Sequence, residues 1–191
     1  KDKTITLSGK FTDAETIIAA KLFSEGLGSK LYDCRFDNAQ IIHNEDESYK
    51  FNSSIQEVEN ADAILLVGSN PRWEASVLNA RIRKAFINNN CKVGLIGPDL
   101  DLNYSYSKIS NSLGGLNDIL DNKSEFSKDL FNAKNPIIIV GTSAINTSQG
   151  SSILKTCAEI AKKLPNFSSS FNPLNVLNQD ISRVGSLDLG F

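Results

Sequence analysis

Residues 61–97, ADAILLVGSNPRWEASVLNARIRKAFINNNCKVGLIG, constrain the fold more than any other stretch of the chain. Ala63–Val67 is an unbroken apolar run. It reads as a strand covered on both faces, the habit of parallel sheets. Gly68-Ser69-Asn70-Pro71 then turns the chain, with Asn70 suited to a helix cap and Pro71 to the first helical position. Ala75, Leu78, Ile82, Ala85 and Phe86 recur at helical spacing and predict one buried helix face. Lys92–Ile96 is a second strand, closed by Gly97-Pro98. Strand, turn, helix and strand make one βαβ unit, and its turn is the natural place for a ligand.

The flanking sequence continues the alternation. Thr4–Ser8 and Leu31–Cys34 read as short strands around a helix capped by Thr12 or Asp13, whose apolar face is Ala14, Ile17, Ile18 and Leu22. Gly26 and Gly28 end that helix. Residues 35–52 are polar and without periodicity, longer than most connections. A short helix follows through Glu59, with Ser53 or Ser54 as cap and Glu57 as capping-box partner. Beyond the central unit, 99–112 is a polar connection, and Leu113–Leu120 and Phe126–Ala133 are short helices. Pro136–Val140 is a further apolar strand, and the next helix buries Ile153, Cys157, Ile160, Ala161 and Leu164. Asn175–Val184 reads as a last short helix. The pattern predicts an α/β fold with a doubly wound, mostly parallel sheet. The expected division is a Rossmann-like domain over 1–135 and, over 136–191, the start of a second α/β unit truncated at its C-terminus.

Composition narrows the function. The net charge is −2 with acids and bases interspersed, so no electrostatic case exists for nucleic acid as a partner. No apolar run approaches the roughly 20 residues of a membrane span, which argues against direct membrane insertion. The chain has no methionine and is expected to be an excised or processed segment. Cys34, Cys91 and Cys157 are far apart and include no C-x-x-C pair, so neither a zinc site nor a four-thiolate cluster is expected. Cys157 reads as a small core residue. His43, the sole histidine, lies beside Glu45, Asp46 and Glu47; with nothing else converging there, it reads as part of a solvated loop. No catalytic residue and no metal ligand is therefore assigned.

Ligands of doubly wound sheets sit outside the carboxyl ends of the strands. Gly68–Asn70 and Gly141–Ser143 both occupy such positions, and turns of this kind with free N–H groups favour phosphate. The pattern is weak, because the chain has no G-x-G-x-x-G and no P-loop lysine. A turn that merely changes direction stands beside it as an equal alternative.

The strings ADAILLVGSNPRWEASVLNARIRKAF, KVGLIGPDLDLNYSY, NPIIIVGTSA and SLDLG carry a family resemblance. Together they resemble the large iron–sulfur subunit of respiratory complex I, the NADH-quinone oxidoreductase of bacteria; in mitochondria this is the 75 kDa subunit. That subunit is similar to the molybdopterin oxidoreductases. The resemblance implies a molybdopterin oxidoreductase-like fold. It also implies that Gly68, Ser69 and Asn70 correspond to a turn that holds the dinucleotide of the pterin cofactor in the enzymes. The chain departs from the enzymes twice. Bulky Val176, Leu177, Ile181 and Arg183 stand in a stretch the enzymes keep small, and IGPDLDL replaces an Asp-Pro-Arg-type signature. Both departures imply a vestigial turn, empty of pterin.

The resemblance further implies that the iron–sulfur clusters belong to the parent subunit upstream of residue 1, so no cofactor is expected in these 191 residues. The implied role is a structural part of a proton-pumping NADH:quinone oxidoreductase, an enzyme and translocase as a whole, with no chemistry in this segment. The implied partners are the other hydrophilic-arm subunits. The implied location is peripheral, on the cytoplasmic face of a bacterial inner membrane or the matrix side of a mitochondrial one. Two alternatives remain: a working molybdopterin-binding domain of an oxidoreductase, and an unrelated nucleotide-binding module. Trp73, beside Arg72 at the helix start, either packs on its own domain or anchors a partner.

Overall fold

The computed structural model describes residues 4–41, 49–112 and 114–191. In chain order its elements are β1 (Thr6–Leu7), α1 (Ala14–Gly26), β2 (Tyr32–Asp33), α2 (Ile55–Asn60), β3 (Ala63–Val67), α3 (Pro71–Glu74), α4 (Ser76–Asn88), β4 (Lys92–Ile96) and β5 (Ser107–Ser110). They continue with α5 (Gly115–Leu120), α6 (Glu125–Asn132), β6 (Pro136–Val140), α7 (Thr142–Ile145), α8 (Gly150–Lys162), β7 (Leu174–Val176) and α9 (Arg183–Asp188). The chain folds as two compact units. One joins residues 1–39 to 178–191; the other is 40–177.

The larger unit contains a five-stranded sheet in the order β5-β4-β3-β6-β7, with every named pair parallel. The wholly buried runs AILLV and PIIIV are its central strands, in register from Ala63 opposite Pro136 to Val67 opposite Val140. Side chains alternate across a strand. Ile64 and Leu66 therefore share a face with Val93 and Leu95 of β4 and with Ile137 and Ile139 of β6. Against that face α2 and α4 bring Val58, Leu78, Ile82 and Ala85, with Ala61 at the end of α2. Helix α6 meets β3 and β4, and α8 meets β6 and β7. Their buried residues include Phe126, Leu130, Ile153 and Cys157. Helices on both faces make the sheet doubly wound, the α/β architecture that the apolar runs predict.

The boundary expected between 135 and 136 is corrected here. Pro136–Val140 is hydrogen-bonded to β3 and belongs to the same sheet, so a cut before it would divide one core. The last short helix expected over Asn175–Val184 is also replaced. Leu174–Val176 pairs with β6 as an edge strand, and the helix begins at Arg183. The polar stretch 99–112 contains β5, whose sequence SKIS is half-exposed. The capping box is confirmed: Ser54 Oγ accepts from Glu57 N, and Glu57 Oε2 accepts from Ser54 N at 2.5 Å.

The smaller unit holds two parallel strands of two residues each, with Thr6 opposite Tyr32. Thr6 Oγ1 and Ser24 Oγ are hydrogen-bonded, as are Ser8 Oγ and Ser186 Oγ, so one strand face turns toward α1 and α9. The other carries exposed Ile5, Leu7 and Leu31. Of the apolar face expected on α1, only Ile17 is buried, while Ile18 and Leu22 are exposed. A sheet of two short strands offers too little surface to cover a helix face. The centre of this unit is polar: Arg183, with its side chain 3% exposed, pairs with Asp37 and Asp180, each at 2.7 Å.

Candidate functional site

The chain builds the large sheet outward from β3 through β4 to β5, then crosses back to β6 and β7. The switch point lies between the carboxyl ends of β3 and β6, where a doubly wound sheet opens its ligand crevice. Gly68–Asn70 and Gly141–Ser143 lie at those two ends, so both expected turns reach one place.

The turns close on each other. Gly68 has φ +53°, a left-handed conformation suited to glycine, and its N–H donates to Ile96 O at 2.9 Å. The Ser143 hydroxyl donates to the Gly68 carbonyl. A methyl group on Gly141 would stand 2.6 Å from both Cα and Cβ of Ser69 and would collide with the Gly68 carbonyl. One on Gly68 would lie 2.7 Å from Ala144 Cβ. The two turns pack backbone against backbone at the ends of neighbouring strands.

Beside this contact, toward β4, remains a cavity of about 230 Å³ lined by residues including Ser69, Asn70, Glu74, Gly97, Pro98 and Leu100. That is below the usual range of about 300–1,000 Å³ for small-molecule sites. Two of its donors serve one carboxylate. Ser69 Oγ donates to Glu74 Oε2 at 3.2 Å, and Asn70 N donates to Glu74 Oε1 at 3.0 Å. Asn70 does not cap with its side chain, contrary to the sequence reading; the Glu74 carboxylate takes its backbone N–H instead. Pro71 does occupy the first helical turn.

The phosphates of a dinucleotide do not fit this arrangement. They need donors that are free and a wall without negative charge, whereas Ser69 Oγ and Asn70 N donate to a carboxylate. Glu74 lies within the string NPRWEA that carries the family resemblance, but local spacing assigns it no role. It stands five residues after Ser69 and four after Asn70, outside the three-residue spacing of a capping box.

The other sequence expectations fall elsewhere. Val176 is buried in β7, and Leu177 packs against the core of the larger unit, so both fill space. Ile181 is 79% exposed and fills none. Arg183 is buried in its ion pairs. His43 lies in 42–48, outside the described residues. Cys34, Cys91 and Cys157 are all buried with free thiols. Among the described residues no group of three or more His, Cys, Asp or Glu is placed to hold a metal ion, and no helix is long and apolar enough to cross a membrane. Trp73 is 84% exposed, so it does not pack on its own unit.

Comparison with known proteins agrees with this architecture. The molybdopterin oxidoreductase family model matches residues 1–191. The mitochondrial NADH-ubiquinone oxidoreductase 78 kDa subunit of Candida albicans is 36% identical over 188 residues, covering 97% of this chain and 26% of that protein. The mitochondrial NADH dehydrogenase [ubiquinone] iron-sulfur protein 1 of Solanum tuberosum is 35% identical, covering 99% and 26%. The 75 kDa subunit of Reclinomonas americana is 32% identical, covering 99% and 29%. The chain thus spans about a quarter of the length of these relatives. In fold it is similar to a chain of the formyltransferase/hydrolase complex of Methylorubrum extorquens, solved with methylofuran. The TM-score is 0.63 at 13% identity, over 95% of this chain and 56% of that one. With its whole length matched, the chain belongs to the molybdopterin oxidoreductase family and is homologous to part of the 75 and 78 kDa subunits of NADH-ubiquinone oxidoreductase.

Proposed function

We propose that this chain is an architectural segment of the large iron–sulfur subunit of a proton-pumping NADH:quinone oxidoreductase, without chemistry of its own. The supporting observation is the state of the switch point. The Gly68 and Gly141 turns pack on each other, and the Ser69 and Asn70 donors hold Glu74. On this reading Gly68, Ser69 and Asn70 are a vestigial pterin turn that stays empty. Electron transfer belongs to clusters elsewhere in the parent subunit. Acid oxidation of the purified parent complex tests the reading. Pterin far below one per complex is expected, and stoichiometric release of a fluorescent pterin would replace the reading with that of a molybdopterin-binding domain.

In the parent complex the segment contacts other hydrophilic-arm subunits, at the cytoplasmic face of a bacterial inner membrane or on the matrix side of a mitochondrial one. Support comes from apolar surface that the chain leaves open. Trp73, Val77 and Ile87 are exposed around α3 and α4, as are Ile5, Leu7 and Leu31 around the smaller sheet. Among the described residues Arg83 makes no ion pair, whereas Arg81 and Lys84 pair with Glu59, and Arg72 with Asp101. An exposed Trp beside arginines is a common interface anchor. Trp73→Ala is expected to leave the chain's own melting unchanged and to weaken assembly of the parent complex; unaltered assembly would count against the contact.

A further inference from the structure

We infer that the Glu74 carboxylate is a built-in anion, holding in cis the donors that would otherwise meet a phosphoryl oxygen, so that the turn after β3 is closed to anionic ligands by its own side chain. The inference deepens the reading of an empty turn and rests on it.

Three observations carry it. First, both carboxylate oxygens are engaged by successive residues of one turn, Oε2 by the Ser69 hydroxyl and Oε1 by the Asn70 N–H. A hydroxyl and a backbone N–H converging on two oxygens of one acid is the donor arrangement that turns offer to bound anions.

Second, local structure holds the acid there. Pro71 starts α3, a helix of only four residues, and Glu74 is its last residue. Ala75 then leaves helical conformation at φ −154° and ψ 73°, and α4 starts afresh at Ser76. The short helix places Glu74 four residues beyond Asn70, with its side chain folded back over the turn. Helical side chains lean toward the N-terminus, so Glu74 folds back over the turn, and its four-residue spacing from Asn70 sets it apart from the three-residue capping box at Ser54.

Third, a residue of the wall carries an unpaired acceptor. Asn70 Oδ1 is buried without a hydrogen-bond partner. Glu74 and Asn70 both line the cavity, and the Glu74 charge opposes a phosphate that entered beside it.

Removing the charge should return the donors. The test uses this chain as wild type, Glu74→Gln and Glu74→Ala. Melting and equilibrium dialysis are run against inorganic phosphate, with sodium chloride at matched ionic strength as control. Wild type is expected to show no saturable phosphate binding. Both variants are expected to bind at least tenfold more tightly than wild type, with a melting temperature that rises with the logarithm of phosphate concentration as linkage requires. Glu74→Gln keeps the shape of the side chain and is the variant to rely on if Glu74→Ala folds poorly. Saturable binding by wild type overturns the inference, as does a folded Glu74→Gln that binds no more phosphate than wild type. Pterin analysis of the parent complex separates the two claims. No pterin together with unresponsive variants sinks the role of Glu74 alone, whereas stoichiometric pterin sinks the empty turn.

Discussion

Gly141 lies against the carbonyl of Gly68 with no room for a side chain between them. This contact joins the ends of β6 and β3, neighbours in the sheet across its switch point. Gly141→Ala is therefore a direct measure of that contact. Overpacking of a well-filled contact costs about 1–3 kcal/mol, and the obstacle here is backbone, which yields less readily than a side chain. Urea unfolding of Gly141→Ala should show a midpoint lowered to match, with the slope unchanged. A neutral substitution would contradict the packing described.

Tyr104 donates its hydroxyl to Asn79 Oδ1 at 2.8 Å, in a buried site between the loop after β4 and helix α4. Burial pushes the phenol well above the ordinary tyrosine range, consistent with a neutral donor at any working pH. Tyr104→Phe keeps the ring, which lies 5.9 Å from that of Phe86, and strips only the donor. The orphaned Asn79 oxygen should cost about 1–3 kcal/mol. Denaturant unfolding of Tyr104→Phe and of the Tyr104→Phe/Asn79→Leu pair should show the double variant less destabilised than the sum of the two single changes.

The central strands and the cap at Ser54 were legible because local chemistry and fold agree there. Unbroken apolar runs such as AILLV and PIIIV can be satisfied only by burial on both faces, and the sheet provides it. The edge strands were not legible. Leu174–Val176 lies between Asn172-Pro173 and Leu177-Asn178, and its own Asn175 is fully buried and serves Ser53, Ile138 and Pro173 as a hydrogen-bonding hub. Burial of an amide at that strand depends on Ser53, more than a hundred residues away, for which local pattern carries no signal. SKIS hides as β5 because an edge strand that is half-exposed needs little apolar content. The break at Ala75 is of the same kind. Glu-Ala-Ser-Val contains no residue that stops a helix, so the helix predicted as one piece arrives as two. The contacts of Glu74 with Ser69 and Asn70 were not legible for that reason.

The three thiols should be silent in the folded chain. Burial pushes Cys91 and Cys157 up to about 12 and raises Cys34 as well. All three are nearly inaccessible. The thiolate is the nucleophile, so both access and ionisation are withheld at neutral pH. Ellman's reagent at pH 8 should label none of them on mixing and all three on unfolding in guanidinium. Native labelling should be slow and limited by opening of the chain. A fast stoichiometric phase in native buffer would contradict the burial.

Asp37 gives the smaller unit an acid limit. Burial alone would raise its carboxyl, but the hydrogen bond and positive charge of Arg183 outweigh it and hold it below the usual carboxylate range. A carboxylate with a depressed folded value contributes stability above its unfolded value, about 3.9, and loses that contribution as pH falls through the folded one. The advantage of wild type over Asp37→Asn should thus be level from pH 7 to pH 5 and shrink below about pH 4. Melting temperatures of the two proteins across that range provide the measurement. Arg183→Leu should behave differently. It leaves Asp37 and the well-covered Asp180 without their shared cation, and breaking a buried pair from one side costs about 3–5 kcal/mol. Its loss should be largest near neutrality and ease as the carboxylates protonate. A difference between wild type and Asp37→Asn that persists unchanged to pH 2.5 would show that Asp37 contributes through packing rather than through its charge.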